Sequence, residues 1–154
     1  MKLSLKNVKI ANHLSEETLA FTATLYVDGK ETASVSNRGT GGSNNYYHID
    51  PEAKERVDRA EDYAREKTGD DVEALDILIA TMLDEDEMWK GHRRREKIRV
   101  RVVGDGNLME WNPKGKVRPE HLEGIKGAPW WKEDYKMLNG LGKDEFLEVM
   151  KEVA

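Results

Sequence analysis

Cysteine is absent from this 154-residue chain, which excludes a disulfide framework and any cysteine-ligated zinc site. Long apolar runs are missing as well. The longest, Ile77 to Ala80 with Met82 and Leu83 beyond Thr81, falls far short of the roughly 18 to 20 residues that a membrane helix requires. Residues 1 to 6 alternate like a strand and lack the apolar stretch of a signal peptide, so the reading is a soluble, cytoplasmic protein with no membrane partner. Aromatic residues make up 7% of the chain and mean hydropathy is −0.78. A chain of this length still buries roughly 70% of its unfolded surface, enough for one core without staples.

What is present has two periods. Leu3 and Leu5 alternate with polar residues, and Val8 and Ile10 continue one register out, predicting a strand with an irregularity near Lys6 and Asn7. Leu19, Phe21, Ala23, Leu25 and Val27 share one face of a second strand. Asp28-Gly29 then reads as a tight hairpin leading to a third strand through Ala33 and Val35. Residues 37 to 48 have no period and read as a loop.

Asp50-Pro51 reads as a helix start with Asp50 as its cap. Ala53, Val57, Ala60 and Ala64 give that helix a stripe of small residues, and Gly69 ends it. Asp70 or Asp71 opens a second helix, whose Val72, Leu75, Ile79 and Met82 form an apolar face to about Trp89.

Beyond Gly91, Ile98, Val100 and Val102 are expected inward, with Arg99 and Arg101 outward. Gly104 to Asn107 makes a second hairpin, Pro119 begins a short helix, Tyr135 to Leu138 forms a short strand, and Phe146 to Val153 lies on a closing helix. Two hairpin units and several helices predict an α+β fold over residues 1–154 as a single domain. Its antiparallel sheet carries helices packed on one face, in two layers.

Charge is unevenly placed. Residues 50 to 88 hold fifteen Asp and Glu against five Lys and Arg, whereas residues 92 to 101 hold six Lys and Arg against Glu96. The run Asp84, Glu85, Asp86 and Glu87 places four carboxylates side by side, which is tolerated best when a cationic partner offsets the field. That partner is either the chain's own Arg93 to Arg95 or the positive groove of another protein. Arg93, Arg94, Arg95, Lys97, Arg99 and Arg101 suit a helix C-terminus or, alternatively, a phosphate backbone. A pI near 5.5 and the lack of interleaved aromatics oppose the second use.

Candidate chemistry is sparse. Gly39, Gly41, Gly42 and Ser43 resemble an anion cradle without the ending of a P-loop, and His48 beside Asp50 offers an imidazole near that loop. No nucleophile elbow surrounds Ser43. His13, His92 and His121 are scattered at spacings that fit no metal motif, so no metal and no cofactor is expected. Trp130-Trp131 is a dense aromatic pair, suited to closing a core or to a protein contact, with at least one indole accessible.

Leu3 to Lys9, Ser15 to Thr18, Ala23 to Lys30, and Val35 to Asn37 with Gly41-Gly42 resemble a family of small uncharacterised proteins carried by bacteriophages and plasmids. Met137-Leu138-Asn139 is similar to that family too. Members often carry cysteine after the Gly-Gly pair, where Ser43 stands, so a thiol role does not transfer and no catalytic residue is carried over. The resemblance implies a viral, non-enzymatic inhibitor of host machinery, of the counter-defence type, in the cytoplasm of a bacterial host. The expected partner is a host protein met by Asp84 to Glu87 with help from Trp130 or Trp131. The alternatives are nucleic-acid binding through Arg93 to Arg101 and a small-ligand enzyme at Gly39 to His48.

Overall fold

Asp28 and Gly29 adopt positive φ values of 50° and 78°, as a two-residue turn must to match the twist of its flanking strands. They join β2 (Phe21–Val27) to β3 (Lys30–Asn37). In this computed structural model, which describes residues Met1–Ala154, β1 (Leu3–Ile10) and β4 (Asn45–His48) complete an antiparallel meander in the order β1-β2-β3-β4. The irregularity in β1 is a register shift between Lys6 and Lys9, with Asn7 at φ 54°. Bulged and lysine-bearing, this edge discourages the addition of a foreign strand.

Strict alternation in β2 buries Phe21, Ala23, Leu25 and Val27 with Ala33 and Val35 of β3. Two helices supply the other half of this core. From α1 (Ala53–Thr68) come Val57, Ala60 and Ala64, small enough for close approach, and from α2 (Ala74–Arg95) come Leu75, Ile79 and Leu83. Side chains of leucine size buried this way contribute about 1.5 to 3 kcal/mol each.

Four expectations for this part of the chain are corrected. Asn45 to His48 is a strand, paired with Ser36 to Ala33 of β3. Val72 is 84% exposed, because it precedes the first turn of α2 instead of lying on its inner face. The helix itself continues past Trp89 to Arg95. Asp50 does not cap α1 through its side chain: its main-chain carbonyl accepts from Ala53 N–H, and its carboxylate accepts from Arg56 Nη2 at 2.7 Å. That guanidinium holds Asp50 below the ordinary carboxylate range.

The chain divides into two compact units, Met1–Asp84 and Glu85–Ala154, each with its own sheet and core. In the second, β5 (Val100–Gly104) is the middle strand of β6-β5-β7, between β6 (Asn107–Trp111) and the two-residue β7 (Lys136–Met137), all antiparallel. Val103, Leu138 and Phe146 make its buried centre, with Trp89, Leu108, Leu141 and Met150 against them. α3 (Pro119–Lys126) and α4 (Lys143–Met150) complete the unit. α3 falls where Pro119 puts it, the closing helix runs Lys143–Met150 and leaves Val153 beyond its end, and the α+β class with antiparallel sheets is as predicted.

Candidate functional site

Three amides of the glycine-rich loop are spent on the protein itself. Gly39 N–H donates to Asn37 Oδ1 at 2.9 Å, Gly41 N–H to Thr18 Oγ1 at 3.2 Å and Asn44 N–H to Asp76 Oδ2 at 2.9 Å. The Gly39 carbonyl accepts from the amides of Glu16, Glu17 and Thr18. An anion cradle needs convergent free amides, and these point elsewhere. Ser43, two residues before β4, and His48, its last residue, are both exposed. The extended run Asn45–His48, at about 3.3 Å per residue, holds them too far apart to act on one atom.

Where the loop meets α2, the first unit opens a groove of about 300 Å³. Phe21 and Leu83 lie buried at its base, Ile77 and Ala80 form the helical wall, and Glu73 and Asp76 supply its only charged groups. Asp76 also accepts the Tyr46 hydroxyl at 2.5 Å. Burial, and then that neighbouring carboxylate, push the Tyr46 phenol above its ordinary value, so Tyr46 remains a donor.

The acidic run is unevenly matched. Asp86 is 2.8 Å from Lys90 Nζ and 3.4 Å from Lys143 Nζ, while Glu87 lies 4.0 Å from Lys90. Burial of the Asp86 carboxyl is outweighed by these two ammonium groups, and its pKa is lowered. Asp84 and Glu85 make no ion pair. The internal partners are thus lysines, not Arg93 to Arg95.

The basic strip is largely committed within the second unit. Arg93 pairs with Glu96, and Arg99 lies 3.8 Å from Glu110. Arg101, expected outward, is only 4% exposed: β5 is covered on both faces, which removes the distinction that alternation normally encodes. Its guanidinium donates from Nε to Glu110 Oε1 at 2.8 Å and from Nη1 to His92 Nδ1 at 2.7 Å. Ile98, expected inward, is exposed. Arg94, Arg95 and Lys97 remain exposed and unpaired.

His92 is the functional-looking residue that sequence reasoning passed over. It is buried, stacked on Phe146 with ring centroids 4.3 Å apart, and flanked by Trp89. Since an arginine can only donate, Nδ1 is the acceptor and the hydrogen sits on Nε2. Nε2 lies 3.3 Å from Glu96 Oε2 but is too poorly aligned for a hydrogen bond. Glu96 is anchored in turn by Gly140 N–H, and Asn139 bridges the carbonyls of Glu96 and Arg99 to the Arg101 amide. Burial holds His92 below its ordinary pKa. Glu96 opposes this, while Arg101 and Arg93 reinforce it. The i, i+4 spacing of His92 and Glu96 on a helix was the available signal. Enclosed by aromatic rings, the imidazole serves cohesion. No group of three or more His, Asp or Glu side chains is placed to hold a metal.

Trp130 stacks on Trp111 with centroids 4.9 Å apart and is 42% exposed; Trp131 turns edge-on to Tyr135. One accessible indole is what adjacent positions imply. No helix is long and apolar enough to cross a membrane. Comparison with protein-family models, curated proteins and solved structures finds no match to this chain.

Two outcomes follow from this geometry. A Cβ on Gly39, at φ 84°, would lie 2.4 Å from the Leu14 carbonyl oxygen, so Gly39→Ala is expected to lower the unfolding free energy by about 2 to 4 kcal/mol. Gly42→Ala, at the same φ in open space, should cost about 1 kcal/mol. Urea titrations of both variants check the difference. For His92, stability should be fully present above about pH 6.5 and decline as the pH falls below it. The unfolded imidazole takes up a proton there that the buried one refuses. Unfolding measured between pH 8 and 5 should show that decline, and His92→Gln should flatten it.

Proposed function

We propose that this chain is a binding protein and not a catalyst, and that the acidic surface of α2 and the turn before it docks on a positively charged protein. The observation that supports this reading is the set of unpaired carboxylates. Asp70, Asp71, Glu73, Asp84 and Glu85 take part in no ion pair, and Glu55, Glu61 and Glu66 of α1 add three more beside the paired Asp58 and Asp62. Asp70 accepts the amides of Val72 and Glu73, which keeps it ionised. The first unit carries sixteen Asp and Glu against ten Lys and Arg, and the second fourteen against fifteen, so the excess is local. Such a surface speeds encounter with a cationic partner and rejects anionic ones.

The likeness to proteins of bacteriophages and plasmids supports a counter-defence role in a bacterial host. The acidic surface would occupy a host groove built for phosphates, and Trp130 offers a further contact of a type enriched in binding hot spots. Nucleic-acid binding is the second reading, favoured only by the exposed Arg94, Arg95 and Lys97.

Capture from bacterial lysate with the tagged chain tests the first reading. The captured protein should be displaced by duplex DNA, and at least tenfold less should be recovered when Asp84 and Glu85 are changed to Lys. Equal recovery removes the acidic surface from the mechanism. A gel shift of DNA or RNA at low salt, lost on raising salt, would instead support the second reading.

A further inference from the structure

We propose that the groove of the first unit is an anchor pocket for a protein segment that presents an apolar side chain beside a lysine or arginine. This deepens the docking reading above and rests on it. Two independent features of the groove converge. Its base and helical wall are apolar, with Phe21 and Leu83 below and Ile77 still 41% exposed, so an entering apolar side chain removes surface from water on both partners. At about 300 Å³ it stands at the small end of binding pockets, the right scale for an anchoring side chain instead of a cofactor.

Its charge is of one sign. Glu73 and Asp76 line it and no lysine or arginine does, whereas two other grooves are each lined by two cations, Lys9 with Arg38 in one and Lys126 with Lys136, beside Glu145, in the other. Asp76 is held in place by Asn44 N–H and the Tyr46 hydroxyl, one on each oxygen. Each carboxylate oxygen accepts more than one hydrogen bond, so an arriving ammonium or guanidinium finds a fixed acceptor that needs no reorganisation. Glu73, exposed immediately before α2, has no ion pair to surrender. An anionic or purely polar segment would lose on one count or the other.

The test uses the full chain and three labelled hexapeptides followed by fluorescence polarisation. One has leucine and phenylalanine between lysines, the second replaces the lysines by glutamates, and the third keeps the lysines but has serines at its centre. The first should bind at least tenfold more tightly than either control. Ala80→Trp, which fills the groove from an exposed helix position, and Glu73→Lys should each weaken it at least tenfold. The double change Asp84→Lys with Glu85→Lys should weaken it threefold or less. Ile77→Ser provides a second groove variant, and unchanged thermal midpoints establish that the variants fold.

Amide resonances of Asn44 and Ala80 should shift on titration with the first peptide. Should the serine-centred peptide bind as well, with Ala80→Trp silent and the Asp84 and Glu85 changes decisive, the groove is overturned and the acidic docking reading stands. No preference for lysine over glutamate would overturn both.

Discussion

Asp76 accepts the main-chain amide of Asn44 on one oxygen and the hydroxyl of Tyr46 on the other, and so the first turn of α2 fixes where the chain leaves the glycine loop and enters β4. Without that carboxylate, two buried or half-buried donors would lose their acceptor, at about 1 to 3 kcal/mol for each group left unsatisfied. The loop's other bonds, from Gly39 to Asn37 and from Gly41 to Thr18, complete a closed hydrogen-bonded set around the same end of the sheet. The groove exists because this set holds the loop rigidly opposite Ile77 and Ala80. Its negative charge and its shape therefore have the same origin.

The second unit solves a different problem with the same economy. Burying Arg101 requires a counter-charge and further acceptors, and Glu110 with a neutral His92 provides them. A protonated His92 would place two cations in contact within a ring of aromatic carbon. Keeping the imidazole neutral is thus a condition for the arginine, and the arginine in turn selects the tautomer. The stacking of His92 on Phe146 joins this polar cluster to the apolar core of Leu138 and Val103.

Much of the first unit was legible because one face of each strand is wet. Alternation in β2, the Asp28-Gly29 turn and the small-residue stripe of α1 each state their geometry locally. β4 was hidden because only Tyr46 of its four residues packs on the core; its pairing is dictated by the free edge of β3, which lies outside its own sequence. In β5 the pattern misled for the opposite reason. A strand covered on both faces has no outward side, and Arg101 is buried along with every other residue of β5. The succession Val102-Val103 breaks the alternation and was the one local sign of double coverage. The division of the acidic run, with Asp86 held by Lys90 and Lys143 while Asp84 and Glu85 go unmatched, depends partly on a lysine 57 positions away in sequence, which no spacing rule reaches.

Among the histidine and serine candidates for catalysis, a perturbed environment and access to solvent do not coincide. His92, whose pKa burial lowers, is sealed between Phe146, Trp89 and Arg101, while the accessible Ser43 precedes β4 and His48 ends it. Binding asks for less: a surface with surplus charge, exposed apolar area beside it, and rigidity. Asp84 and Glu85 stand on α2 with no ion partner and so gain no electrostatic support from the chain itself. A cation arriving from outside the chain would supply the partner that these carboxylates lack, beside the exposed Ile77.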